Sequence, residues 1–258
     1  MSGPSLPYEA LGIVQTSAAI LSFMSSLRIF GVIVSAKDLR LMTSYQLIAY
    51  IALFECCQMT STSVVGIMIA MHDTFNELLL DAIADIAVIT WITLIWLRFS
   101  LAVNRFTVIT SFSRLRFLKS NFVLWATLLF PTCALAAMIV FCILNKLPHS
   151  IDVELAGWNF DKVVLVSYIE KFSATILTLC TFLLYVITKN QALSETKLND
   201  VKLLISSGLT FIYEVAIVVI YYCIFPYVEV SALWNGIMGI LWAALPAFNG
   251  LMLLTVNK

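Results

Sequence analysis

The apolar residues of this chain are gathered into seven long blocks separated by short polar breaks. The hydrocarbon core of a bilayer is about 30 Å thick, and a helix crosses it with about 20 residues. Apolar residues make up 61% of the 258, against about half in a soluble domain. The pattern predicts an all-α protein: one seven-transmembrane helix bundle, occupying residues 1–258 as a single domain. The expected helices cover about 8–34, 41–71, 74–108, 122–144, 162–188, 201–225 and 231–256. The longest expected loop runs from Asn145 to Asp161.

So many spans leave no room for a soluble catalytic domain. Lys plus Arg and Asp plus Glu number 15 each, and this neutral balance argues against a nucleic-acid partner. The opening Met1–Pro7 has no basic region, and the apolar run behind it is too long for a cleaved signal, so the first helix is expected to be retained. The six cysteines, Cys56, Cys57, Cys133, Cys142, Cys180 and Cys223, lie within or beside apolar blocks and read as buried thiols. No N-x-Ser/Thr glycosylation site is present.

Lys and Arg of short loops set orientation. One side holds Lys37, Arg40, Arg105, Arg114, Arg116, Lys119, Lys189, Lys197, Lys202 and Lys258; the other holds Lys146, Lys162 and Lys171. The first side is therefore expected in the cytoplasm, with the amino terminus outside. Acidic residues collect on the outer side, among them Glu77, Asp81 and Asp85, which form a stripe on one helical face. They suit either a wetted rim or the attraction of a cation.

Ionisable groups at bilayer depth are costly and mark functional candidates. Glu55, Arg98 and Glu214 lie about 21, 15 and 20 Å from the inner ends of their expected helices, at 1.5 Å per residue. Similar depth makes an interior cluster, with Glu55–Arg98 as a pair. A structural ion pair and a switch are both open readings. The histidines, His72 and His149, fall at loops, and neither HExxH nor GxSxG occurs, so no enzymatic chemistry and no cofactor is expected. The expected last helix has no lysine for a retinal Schiff base.

Three short motifs lie at helix ends: Leu101-Ala102-Val103-Asn104-Arg105-Phe106, Ser44-Tyr45 followed by Glu55, and Asn249-Gly250 running to Asn257-Lys258. With the seven-span layout, they resemble the nematode serpentine chemoreceptors of class X or class T type, within the rhodopsin-like G-protein-coupled receptor superfamily. The resemblance implies an olfactory or other chemosensory receptor in the plasma membrane, with a sensory cilium as its site. Its implied partners are an external small molecule, the lipid bilayer and a heterotrimeric G protein. Arg105 matches the arginine that holds the inactive state and meets the G protein. Its usual acidic neighbour is Asn104 here, so no Asp-Arg latch forms. Glu55 matches the acid of helix 2, as Glu in place of Asp. Asn249 matches the Asn of an Asn-Pro motif whose proline is replaced by Gly250, with Pro246 close before it. The loop Asn145–Asp161 lacks the usual disulfide cysteine and should be looser.

On this reading a ligand pocket is lined by Asp85, Tyr168, Glu170, Tyr221, Tyr222, Trp234 and Trp242, aromatic and sparsely polar as ligand sites are. The activation switch comprises Glu55, Arg98, Asn104, Arg105, Glu214 and Asn249, and Arg105, Arg114, Arg116 and Lys119 meet the G protein. A second reading is a multipass transporter or channel whose ion path uses Glu55, Arg98 and Glu214. The absence of matching broken helices in two halves of the chain counts against it.

Overall fold

The computed structural model describes residues 6–109, 136, 150–152, 156–159, 179, 183, 186, 209–210, 212–228 and 231–256. In chain order these form α1 (Leu6–Ser35), a single turn α2 (Lys37–Arg40), α3 (Thr43–Met71) and α4 (Glu77–Ile109). Strands β1 (Ser150–Asp152) and β2 (Gly157–Asn159) follow. A helix α5 (212–219) runs into a π-helical turn, Ile220–Ile224, and a 3-10 turn, Phe225–Tyr227, and α6 (Ala232–Val256) comes last. Among the described residues four stretches are long and apolar enough to cross a bilayer: Tyr8–Ser35, Thr43–Met71, Glu77–Leu101 and Ala232–Met252. The chain is thus a multi-pass membrane protein. Apart from residues 136, 179, 183 and 186, the expected helices over 122–144 and 162–188 lie outside the described residues, as does the start of the one over 201–225.

Burial on α1 is inverted relative to a water-soluble helix. Gly12, Gln15, Ala19, Ser22 and Ser26 face inward, while Ile13, Val14, Ile20, Leu21, Met24 and Leu27 face out. Lipid is as apolar as leucine, so membrane helices associate through close backbone approach and hydrogen bonds. Gly12 and Gly66 supply that approach between α1 and α3: a Cβ on Gly12 would collide with the backbone of Ala70 and Gly66. Thr16 then donates to the carbonyl of Ser63 at 3.4 Å as well as to Gly12 of its own helix. On the other side of α1, Gly236, Gly239 and Gly250 of α6 meet Leu11, Gln15 and Ser25. Those pairs ascend together, so α1 and α6 run parallel, whereas Gly12 beside Ala70 and Ser26 beside Glu55 make α1 and α3 antiparallel.

Helix α3 is buried except for a stripe at Tyr50, Leu53, Cys57, Thr60, Ile67 and Met71, at helical spacing. Cys57 on that stripe is exposed, which corrects the reading of both neighbouring thiols as buried; Cys56 is buried. Helix α4 is central: from Ala87 to Ile95 every residue but Ile89 is buried. It begins at Glu77, three residues after the expected start. Asp73 accepts the Phe75 N–H, Asn76 accepts the Leu78 N–H as an N-cap, and His72 takes the left-handed conformation (φ 50°) that ends α3.

The loop expected to be loose contains the antiparallel pair β1–β2, with Ser150 opposite Asn159 and Asp152 opposite Gly157. Ala156 beside it is fully buried against Val65, Met68, Ile69 and Ile83. Ala156 thus packs on α3 and α4, while β1 lies against α4 and β2 against α6, and the pair is the described exception to an all-helical fold.

Candidate functional site

Three helices deliver ionisable side chains to one interior point. Arg98 of α4 donates through Nη2 to Glu55 Oε1 of α3 at 3.1 Å and through Nη1 to Glu214 Oε1 of α5 at 2.5 Å. Ser26 of α1 donates to the second oxygen of Glu55 at 2.9 Å, so four helices meet in one network. Glu55 is 1% exposed and Glu214 5%. Charges so placed survive only when paired and hydrogen-bonded, and removing one partner of such a pair costs about 3–5 kcal/mol. The sequence placed these three at one depth; the structure brings them together and adds Ser26.

Two other expected switch residues take part in contacts that tie helices. Ser44 at the start of α3 donates to Asn104 Oδ1 near the end of α4 at 2.8 Å. Thr210 donates to Asn249 Oδ1 of α6 at 3.4 Å. Arg105 lies in α4 one residue on. Arg114, Arg116 and Lys119 lie outside the described residues, as do Tyr168 and Glu170.

Seven residues before Arg98, on the same face of α4, stands Trp91. The same step separates Glu214 from Tyr221 on α5 and its π-turn, and Asn249 from Trp242 on α6. The result is two layers about 10 Å apart at 1.5 Å per residue. The layer at Arg98 is ionic and polar. The other is aromatic: Trp91 and Trp242 have ring centroids 3.9 Å apart, and Tyr221 meets Trp242 edge-on at 6.1 Å. Tyr221 and Trp242 are thus brought together as expected, and Trp91, which the sequence reading left out, completes them. Its signal was available in its register with Arg98. Tyr222 belongs to the π-turn. Asp85 is partly buried nearer the start of α4. Trp234 does not line this cluster; it is 60% exposed, as suits an interfacial anchor.

Between the layers α6 stays helical but carries a proline. Pro246 has no N–H to donate and sits inside the helix. One residue on, the Ala247 N–H donates not within the helix alone but to Ser22 Oγ of α1 at 3.2 Å, and Ser22 donates in turn to the Ala243 carbonyl at 2.5 Å. A hydroxyl has entered the backbone ladder, one of the recognised causes of a helix bend. Tyr213 of α5 donates to the Leu241 carbonyl at 2.6 Å, close to the same turn. The arrangement can therefore do one thing chemically and mechanically: hold α4, α5 and α6 in register through bonds that a shift of α5 would break. No protein-family model matches the chain, and no curated protein matches it.

Proposed function

We propose that the chain is a seven-helix chemosensory receptor of the plasma membrane that couples an external small molecule to a heterotrimeric G protein. The observation that carries this reading is the double engagement of Arg98. It binds Glu55 on α3, which α1 and α4 hold in place, and Glu214 on α5, beside the irregular turns at Ile220–Tyr227. One bond anchors the guanidinium; the other latches a helix with an irregular outer end. A ligand that prefers the unlatched bundle shifts the population by its differential affinity alone. Movement of α5 then opens the inner face near Arg105 and the basic residues Arg114, Arg116 and Lys119. The parallel course of α1 and α6 also supports an odd number of crossings.

The test is G-protein activation by the full chain in cells exposed to a panel of small molecules, with ion flux recorded in parallel. Arg105→Ala should abolish coupling while surface expression persists. Unchanged coupling in that variant contradicts the receptor reading. A second reading, an ion-translocating protein, is favoured by one feature: two carboxyl groups share a single guanidinium in the interior. Flux without coupling would select it.

A further inference from the structure

We propose that the aromatic layer is a ligand site in which the Trp91 indole N–H is the recognition donor, and that its ligand is a neutral, largely apolar molecule carrying a hydrogen-bond acceptor, such as a ketone or ester. This deepens the receptor reading by naming the ligand class, and it rests on that reading. Trp91 is 3% exposed, and its Nε1 has no hydrogen-bond partner among the described residues. A buried tryptophan N–H ordinarily finds one, and leaving it unmet is unfavourable. Val88, Ile92, Ile95 and Val218, which pack with Trp91, are aliphatic, and the Trp242 ring lies tilted against the indole. The indole nitrogen donates and cannot accept, so it selects an acceptor and gives an ammonium group nothing.

Of the three aromatic walls, one stands on irregular backbone and one on a helix that contains a proline. Tyr221 lies in the π-turn of Ile220–Ile224, a geometry that recurs at functional sites. Trp242 precedes Pro246 by one turn, where Ser22 enters the helix. The third, Trp91, stands on the regular, buried α4. A small molecule can thus be admitted by the yielding walls and oriented by the fixed one. The site lies two turns outward of Arg98 on the same helix face, so occupancy that displaces Tyr221 pulls on the segment that carries Glu214.

The experiment uses the full chain purified in detergent. Thermal stabilisation is titrated with medium-chain methyl ketones and with their isosteres in which the carbonyl is replaced by a terminal methylene, so that only the acceptor is lost. The wild-type chain should bind each ketone about threefold to tenfold more tightly than its isostere, the range one neutral hydrogen bond provides. Trp91→Phe should bring the two to equal affinity, while Trp234→Phe keeps the preference. Equal affinities in the wild-type chain, a preference surviving in Trp91→Phe, no binding of either series, or tighter binding of the matched alkylamines would each overturn the proposal. The wild-type comparison needs no variant to fold. Ketone selectivity without G-protein activation would sink the signalling reading and leave the site standing.

Discussion

Arg98 holds Glu214 more closely than it holds Glu55, at 2.5 against 3.1 Å, although among the described residues Glu55 alone has a second donor, in Ser26. The three groups therefore differ in what each deletion strands. Removing the guanidinium leaves two carboxyl groups buried without their cation. Removing the charge of Glu214 leaves the Arg98–Glu55 pair intact. The expected order of destabilisation is Arg98→Met far above Glu55→Gln, and Glu55→Gln above Glu214→Gln. The first should cost about 3–5 kcal/mol, as breaking a buried ion pair does. Melting temperatures of the purified variants check the order. If the receptor reading holds, Glu214→Gln also raises basal G-protein activation, because the latch to α5 is weakened while the anchor on α3 persists. A Glu214→Gln chain less stable than Arg98→Met would contradict the network.

The Ser22 hydroxyl and Pro246 act as a pair, though they never bond to each other. Ser22 satisfies the Ala247 N–H and the Ala243 carbonyl at a place where the helix has already lost one donor to proline. In hydrocarbon no water can take over. Ser22→Ala should lower stability by about 1 kcal/mol, the net worth of a neutral hydrogen bond. Pro246→Ala restores the missing N–H and lets α6 close its own ladder, so in that background Ser22→Ala should cost much less. A double-mutant cycle measures the coupling, expected at about 0.5–3 kcal/mol. Additive effects of the two substitutions would show that Ser22 packs beside the bend without bridging it.

The ionic layer was legible in the sequence because Glu55, Arg98 and Glu214 stand out in apolar runs, and helix rise converts their positions into depth. The aromatic layer was only half legible. Tyr221 and Trp242 drew notice as aromatic residues, but Trp91 sits in an uncharged run of aliphatic residues and threonines, and only its register with Arg98 reveals the face it shares. Ser22 could not be read at all. Hydroxyls are common in membrane helices, and its partners are backbone groups of a helix 221 residues away. The strand pair around Ala156 was read as the longest loop because three-residue strands carry too little alternation to separate from a loop. The start of α4 was misplaced by the same kind of local chemistry: Asn76 caps the helix, and apolar periodicity does not register a cap.

Glycine positions on α1 give a test with an internal control. A Cβ at Gly12 would collide with backbone of α3, which cannot rotate away, whereas a Cβ at Gly31 would meet nothing within 4 Å. Gly12→Ala should therefore force α1 and α3 apart and break the contact that positions Ser26 against Glu55, with a loss of about 1–3 kcal/mol or more, as overpacking brings. Gly31→Ala should not destabilise the chain and should gain up to about 1 kcal/mol from helix propensity. The two variants carry the same methyl on the same helix, so helix propensity cancels between them. Equal melting temperatures would remove the close α1–α3 crossing.

The ladder of α1 against α6 carries a prediction about the ends of the chain. Leu11 meets Gly236, Gln15 meets Gly239 and Ser25 meets Gly250, all in ascending order. Two spanning helices that run parallel enter the membrane from the same face and leave by the same other face. The end preceding α1 and the end following α6 are then separated by the bilayer, whichever side is outside. The excess of Lys and Arg on the side of Lys37 and Arg40 assigns that side to the cytoplasm. An epitope tag at the amino terminus should be stained on intact cells, and one at the carboxyl terminus only after permeabilisation. Staining of both tags under the same condition would require an even number of crossings and would contradict the parallel pairing of α1 with α6. The reverse pattern, carboxyl tag outside, would leave that pairing intact and overturn the charge assignment alone.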